Sequence, residues 1–378
     1  MKTMESTPSA TLPAAPSISE WDVSRLREAV ADVFSVSDVT TDPAPRVALR
    51  FRGQLMIPAH QAYEQVSRRF RDLGYTPLFQ REGGDDVILA VRGVIRATPS
   101  RPWLAALMFL ATVASVVFAG MSMVEPPPGH LFPSPLAGLP FAVSLLSILL
   151  FHELGHYFVA RAYGVPVSLP YFIPMPLNLF GTMGAFIRMK APPTNRRVLV
   201  SIAAAGPLAG LVLAVPILTI GLLLSEVAPL PIGEPLLMEG NSLLYLGLKL
   251  LLFGRVLPGG GMDVMLHPMA LAGWAGLMVT ALNLIPAGQL DGGHIVYALL
   301  GERVRWLTWL IIGALLILGF VWNGWFLLAG LVFIFGQRLA APLDSITTLD
   351  RPRQILAVLV VVVFILIFTP VPMVIRQF

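Results

Sequence analysis

The sequence predicts a polytopic α-helical membrane protein with about six to seven transmembrane helices, a re-entrant β-hairpin and a small N-terminal α+β soluble domain. The first observation is the composition: 56% of the 378 residues are hydrophobic and only 13% are charged. The second is the position of the apolar segments, which follow one another from Pro102 onward. The third is residues 20–98, which hold most of the alternating polar and apolar patterning that is typical of a soluble fold.

The charge and the cysteine content exclude several classes of protein. A formal net charge of +4 could indicate nucleic-acid binding, but charge this sparse fits a membrane protein with basic loops better. The chain has no cysteine, which excludes disulfides, thiolate nucleophiles and zinc bound by cysteine. Any metal must therefore be bound by nitrogen and oxygen ligands.

The N-terminal part is predicted to divide into a tail and a small domain. Residues 1–19 are rich in Ser, Thr, Pro and Ala and are expected to form a disordered tail, without the apolar segment of a secretory signal. Residues 20–98 are expected to form a cytosolic α+β domain that is regulatory, substrate-facing or simply a passive extension. Its predicted elements are a helix over 21–34, a strand over 47–52, a helix over 59–74 and a hairpin of 78–81 with 87–91.

Residues 99–378 are predicted to form a single transmembrane domain with a functional core at about 138–300. Most of its apolar segments approach the ~20 residues that a bilayer requires. They are drawn at about 103–123, 138–160, 198–224, 268–290, 306–322, 325–340 and 354–375. The segment 243–257 is interpreted as an interfacial or re-entrant helix.

Residues 164–197 are expected to be neither helix nor ordinary loop. Four prolines interrupt any helix there, and residues 181–190 alternate small and apolar side chains like a strand or hairpin. Non-helical backbone is tolerated at membrane depth only where it is buried in protein or lines a cavity. The hairpin either borders the functional site, where its edge could pair with an extended substrate segment, or it is a structural plug.

A His-Glu-x-x-His pattern at residues 152–156 ends the second apolar segment. On a helix, His152 and His156 lie one turn apart on the same face, so both can bind one zinc ion while Glu153 acts as general base. The alternative is a pair of buried histidines hydrogen-bonded to backbone carbonyls. Two histidines and a glutamate on an apolar helix would be costly without a metal, which favours the metal site.

A catalytic zinc takes three protein ligands and leaves a position for water. Without cysteine, the third ligand must be His, Asp or Glu. Asp291 is an acidic residue at the end of the fourth apolar segment, and alternating helix directions place it at the same depth as His156. The alternative for Asp291-Gly292-Gly293 is a helix-ending turn at the membrane surface.

These motifs together resemble the site-2 protease family of intramembrane zinc metalloproteases. The resemblance covers roughly residues 138–300 and fits the bacterial and plant-chloroplast branch, without a PDZ insertion. It rests on the His-Glu-x-x-His pattern at 152–156, Gly206-Pro207 with Gly210, His267-Pro268 with Trp274, and Asn283, Pro286 and Leu290-Asp291-Gly292. The resemblance implies one Zn²⁺ per chain, held by His152, His156 and Asp291. It also implies Glu153 as the catalytic glutamate, Asn283 as a catalytic polar clamp, and a transmembrane protein as substrate.

The basic residues predict the sidedness of the chain. They cluster in alternate loops: Arg161, Arg188, Lys190, Arg196 and Arg197, then Arg303, Arg305, Arg338, Arg351 and Arg353. By the positive-inside rule, the N-terminus and the active site are expected to face the cytoplasm, and we expect a prokaryotic cell membrane. Lys249 and Arg255 are exceptions in an outer segment. The expected partners are the substrate and the lipid bilayer, with no nucleic acid.

Two alternative functions remain open at this point. One is a membrane metalloprotease that acts on substrates outside the membrane and uses a glutamate as third ligand. The other is a zinc transporter or a catalytically inactive scaffold. Transporters usually carry ionisable residues along a whole path, whereas here they gather at one depth, and the intact Glu153 argues against an inactive enzyme.

Overall fold

The computed structural model describes residues 17–95, 98–130, 133–231, 233, 235–336 and 341–377. The predicted tail therefore falls largely outside the described residues. The chain forms two compact units. The N-terminal unit comprises Met1–Arg96 with Leu343–Thr348, and the membrane unit comprises Ala97–Pro342 with Leu349–Phe378.

The N-terminal unit is a four-stranded antiparallel sheet with two helices. Strands in the order β1-β2-β4-β3 form the sheet, and the helices contribute Leu26, Val66 and Phe70 to the core. The elements are α1 (Glu20–Val30), β1 (Phe34–Ala44), β2 (Val47–Leu55), α2 (Ala59–Asp72), β3 (Tyr75–Glu82) and β4 (Asp85–Arg92).

The sequence predictions for this unit are confirmed for its two helices, for β2 and for the β3–β4 hairpin, whereas strand β1 was not predicted. The predicted first helix ran to Phe34, but α1 ends at Val30 and Phe34 opens β1. Most of β1 is exposed or half-buried and it lies at the edge of the sheet. Its Ser, Thr and Asp residues therefore lack the apolar alternation by which a half-buried strand is recognised.

The membrane unit is helical, and three of its described helices are long and apolar enough to cross a membrane. These are α3 (Pro102–Met121), α4 (Pro135–Ala162) and α5 (Arg196–Leu223). The shorter helices are α6 (Leu243–Phe253), α7 (Pro268–Asn283), α8 (Asp291–Leu300), α9 (Val304–Gly319), α10 (Gly324–Phe335) and α11 (Arg351–Ile367). A polytopic membrane fold is thus supported.

Short antiparallel strand pairs complete the membrane unit. The first is a hairpin of β5 (Tyr171–Pro174) and β6 (Thr182–Phe186), which lies within the predicted non-helical segment. The others pair β7 (Glu226–Pro229) with β9 (Met262–Met265), and β8 (Pro235–Glu239) with β10 (Met373–Gln377).

The predicted span over 268–290 is wrong as a continuous helix. Helix α7 ends at Asn283, and Asp291 opens the separate helix α8. Pro286 lacks the N–H that a helix requires, and Gly288 has φ +60°, a conformation that glycine adopts without steric cost. Asp291 therefore lies at the start of a helix, after a loop.

Lys249 is fully buried and forms part of a charged cluster. Its Nζ donates to Glu239 Oε1 at 2.9 Å and lies 3.5 Å from Asp263 Oδ1, and it lies 4.4 Å from the centre of the Tyr245 ring. Tyr245 donates its hydroxyl to the same Glu239 oxygen at 2.8 Å. Lys249 is thus neutralised inside the protein and is not a loop charge of the kind that the positive-inside rule counts.

Candidate metal centre

The two histidines of the candidate site project from α4 into the protein. His152 and His156 are both buried, and their Nε2 atoms lie 3.2 Å apart. Asn195 begins the neighbouring α5 by accepting the N–H groups of Arg197 and Val198 at its Oδ1. This N-cap satisfies two amides that the helix leaves free and helps to define where α5 starts beside α4.

Helix α5 orients His156. The ring donates Nδ1–H to the backbone carbonyl of Ile202 at 2.8 Å, which leaves the Nε2 lone pair available for a metal. Gly206 makes this approach possible, since a Cβ there would lie 2.0 Å from His156 Nε2. The missing side chain of Gly206 thus gives the ring an open surface on this turn of α5, and the Ile202 carbonyl lies within reach of Nδ1.

Asp291 reaches the histidines from the start of α8. Its Oδ2 lies 3.3 Å from Nε2 of His152 and 3.3 Å from Nε2 of His156. Gly292 and Gly293 allow this start of α8 to pack on the preceding loop, because Cβ atoms there would lie 2.0 Å and 2.3 Å from backbone carbonyl oxygens. Asp291 therefore lies close to both histidines, as the sequence argument from helix direction expected, although the helix that was to carry it is broken.

The three ligand atoms fit a tetrahedral zinc ion. Bonds of about 2.0–2.1 Å place neighbouring corners of a tetrahedron about 3.3 Å apart, and the observed separations are 3.2, 3.3 and 3.3 Å. Among the described residues, His152, His156 and Asp291 form the one group of three or more His, Cys, Asp or Glu side chains close enough to share an ion. Two nitrogens and one carboxylate oxygen are also ligands that zinc prefers.

Glu153 and Asn283 lie beside this group but are not part of it. Glu153 is buried with 5% exposure, and the backbone amide of Ile187 interacts with its carboxylate. Asn283, the last residue of α7, has its Nδ2 3.4 Å from His152 Nε2. The arrangement offers a carboxylate base and an amide donor next to a possible metal.

The site opens into a cavity of about 640 Å³. One wall is the chain from Ala185 to Pro192, which continues the hairpin strand β6. The other walls include Asn283, Gln289 and His294 together with the three possible ligands. A cavity of this size holds several residues of an extended peptide rather than a single small ion.

Two features of the site were not anticipated from the sequence. The first is the contact of Gly206 and the Ile202 carbonyl with His156, which orients the ring from another helix. No residue spacing in the sequence predicts such a contact between two helices. The second is His294, which lines the cavity and whose buried Nδ1 has no hydrogen-bond partner among the described residues. His294 follows Asp291 by three residues on α8, and this spacing places the two side chains on the same face of the helix.

The family model of peptidase family M50 matches residues 140–319. "Probable zinc metalloprotease EGY1, chloroplastic" of Arabidopsis thaliana is 36% identical over 244 residues, which cover 56% of this chain and 43% of that protein. The protein of the same name from Oryza sativa subsp. japonica is 33% identical over 312 residues, covering 75% and 53%. "Probable zinc metalloprotease EGY2, chloroplastic" of A. thaliana is 33% identical over 237 residues, covering 62% and 42%.

The chain spans about half the length of these curated relatives. The predicted class, a zinc metallopeptidase, agrees with the family and with the relatives' names, and the long apolar helices support association with a membrane. The predicted prokaryotic cell membrane, with the N-terminus and active site toward the cytoplasm, is wrong by this comparison, since the relatives are chloroplast proteins and point to a chloroplast membrane. Basic loops distinguish the two sides of a membrane but carry no information about which membrane it is.

Proposed function

Because the chain belongs to peptidase family M50, the site-2 proteases, we propose that it is an intramembrane zinc endopeptidase that cleaves transmembrane segments of other proteins. The observation that carries the proposal is the triangle of ligand atoms from His152, His156 and Asp291, with sides of 3.2–3.3 Å. We assign these three residues to one zinc ion per chain. The proposed site lies at the end of a helix that is long and apolar enough to span a bilayer.

The proposed chemistry is hydrolysis of a peptide bond by water. A zinc ion in this position would polarise the scissile carbonyl and lower the pKa of a water molecule. Glu153 accepts the proton of the attacking water and delivers it to the leaving amine. Asn283 Nδ2 donates to the oxygen on which negative charge develops. The Ile187 amide holds the Glu153 carboxylate toward the cavity.

The cavity wall suggests how a substrate would bind. Strand β6 pairs with β5 on one side, and the chain that continues it lines the cavity on the other. A substrate segment unwound from its helix could add to this edge through backbone hydrogen bonds. Such unwinding frees the scissile carbonyl, which a helix would keep in an i to i+4 hydrogen bond.

Several finer assignments form part of the same proposal. We propose that the shorter helices raise the number of transmembrane helices to six or seven, and that the β5–β6 hairpin is re-entrant. We also propose residues 20–98 as a separate soluble domain and 99–378 as the metalloprotease domain, in a chloroplast membrane as in the relatives.

The experiment compares wild-type protein with Glu153→Gln, both purified in detergent and loaded with zinc. The substrate is a single-pass transmembrane protein, and an unstructured soluble peptide of the same sequence is offered in parallel. We expect wild type to cleave the transmembrane protein and Glu153→Gln to keep its zinc but lose cleavage by at least about 10²-fold. Equal cleavage by both proteins would refute the mechanism.

Two further outcomes distinguish the alternatives. If the enzyme cleaves the soluble peptide in preference to the transmembrane protein, the proposal of intramembrane cleavage gives way to that of a protease that acts outside the membrane. Retention of stoichiometric zinc by Asp291→Ala would remove Asp291 from the ligand set and require another third ligand. Asn283→Ala is the matched control for zinc retention by Asp291→Ala, because it removes a neighbouring polar group that is not among the proposed ligands.

A further inference from the structure

Residues Leu343–Thr348, which we call the strap, belong to the N-terminal unit although the chain on both sides belongs to the membrane unit. The strap lies along β3, which is an outer strand of the four-stranded sheet. Phe79 donates its backbone N–H to the Leu343 carbonyl at 2.9 Å, and Ser345 donates its N–H to the Phe79 carbonyl at 2.9 Å. Asp344 and Phe79 form a parallel β-bridge, so the strap pairs with β3 as an added strand would.

The side chains of the strap complete the interaction. Leu343 and Ile346 pack against the apolar core of the N-terminal unit. Between them, Asp344 is fully buried, and its Oδ1 accepts the N–H groups of Ile346 and Thr347 at 2.9 and 3.0 Å. Thr347 donates its hydroxyl to the other carboxylate oxygen. The strap is thus a compact recognition element with the pattern apolar, Asp, any residue, apolar, Thr.

The strap pairs with β3 over a much shorter length than the permanent strands of the sheet pair with one another. Strands β3 and β4 pair over eight residues, whereas the strap forms a single bridge with β3. Burial raises the pKa of the Asp344 carboxyl, because enclosing a charged carboxylate away from water is unfavourable. Docking therefore depends on a few backbone bonds, two apolar side chains and one turn.

We propose that the edge of β3 is a peptide-docking site, that the strap is its resident ligand, and that an extended peptide of the same pattern can replace the strap. The strap is continuous with α11, which begins at Arg351. Helix α11 packs against α5, α7 and α8, and α8 begins with Asp291. Exchange of the strap for another peptide therefore releases the segment that leads into a helix packed against α8, the helix that Asp291 begins.

The test uses the full-length chain and a fluorescent peptide of residues 341–349. Ser345→Pro removes the N–H that binds the Phe79 carbonyl, whereas the matched control Ser345→Ala keeps this N–H and loses only the hydroxyl contact. We expect the peptide to bind Ser345→Pro at least about tenfold more tightly than wild type, because the resident strand no longer competes. Ser345→Ala should remain close to wild type.

A second variant keeps the test valid if the proline variant misfolds. Replacing residues 343–348 by a Gly-Ser segment of equal length leaves all residues of β3 intact, and hydrogen exchange at the β3–β4 amides reports whether the sheet is folded. In both variants the Phe79 amide should lose protection and regain it when peptide is added. A peptide with Asp344→Ala should fail to bind.

Two results would overturn the proposal. The first is absence of peptide binding to both variants while their β3–β4 amides stay protected. The second is equal binding to wild type and variants, which would place the peptide elsewhere. The assay measures binding without zinc or turnover, so its failure leaves the proposed protease activity untouched.

Discussion

Replacing Gly206 by alanine should disconnect His156 from the metal. The added Cβ would lie 2.0 Å from His156 Nε2, 2.3 Å from its Cδ2 and 2.5 Å from its Cε1. Non-bonded atoms of this kind prefer about 3.5 Å, so the ring must move by about 1.5 Å or α5 must move away from α4. The ring cannot move freely, because its Nδ1 donates to the Ile202 carbonyl on the same helix.

The displacement is large compared with what a metal site tolerates. Metal–ligand distances hold to about ±0.2 Å, so a shift of about 1.5 Å removes His156 from the ligand set and leaves two ligands. Loss of an orienting contact alone costs about 10–100-fold in metal affinity, and we expect a loss of at least about 100-fold for Gly206→Ala. Overpacking between α4 and α5 should also destabilise the fold by about 1–3 kcal/mol.

The assay is zinc affinity by competition with a chelator, together with thermal unfolding in detergent. Gly210→Ala is a milder variant on the same helix, since its Cβ would meet His152 Cβ at 3.2 Å and Nδ1 at 3.3 Å, so we expect a loss of zinc affinity smaller than that of Gly206→Ala. Gly313→Ala is a neutral control, with nothing within 4 Å of the added Cβ. A Gly206→Ala protein that binds zinc as tightly as the Gly313→Ala control would refute this account of how His156 is positioned.

Three further predictions concern other parts of the chain. Lys249→Ala should destabilise the protein by about 3–5 kcal/mol, because Glu239 and Asp263 would stay buried without their cation. Thermal unfolding measures this, with the exposed Arg255→Ala as control, and equal melting temperatures of the two variants would contradict the prediction. Asn195→Ala should cost about 1 kcal/mol through loss of the N-cap of α5, in the same assay, and an unchanged melting temperature would count against the cap. Strap docking should weaken as pH rises from the ordinary Asp344 pKa of 3.8, because burial raises this pKa and the docked state binds the proton more tightly. The protection of the Phe79 amide against hydrogen exchange should therefore fall as pH rises in wild type and stay level in Asp344→Asn. The charge of nearby His60 lowers the Asp344 pKa and so reduces the size of this effect. Protection that rises with pH in wild type would contradict the prediction.

Short-range patterns predicted the parts of the structure that depend on neighbouring residues. The His-Glu-x-x-His spacing is a property of one helix, so the approach of His152 to His156 could be read from residue numbers. The alternation of helix directions then predicted that Asp291 lies close to His156, and the two side chains are 3.3 Å apart. Amphipathic alternation likewise predicted β2, α2 and the β3–β4 hairpin.

Features that depend on distant contacts were not predictable. The loop between α7 and α8 interrupts an apolar segment whose hydropathy alone indicated one helix. Gly206 matters because of a histidine 50 residues earlier in the chain. The strap contacts Phe79 across more than 260 positions, and its six residues carry no strand-like alternation. Edge strand β1 is mostly polar because most of it is exposed.

The separation of the possible ligands between α4 and α8 has a consequence during synthesis. Asp291 follows His156 by 135 positions, and a ribosome adds about 5–20 residues each second. For a period on the order of ten seconds, the nascent chain therefore carries the histidine pair and Glu153 without the carboxylate that would complete the proposed ligand set. In the proposed assignment, a complete ligand set and the proteolytic activity that depends on it therefore wait until α8 has emerged and packed against α5.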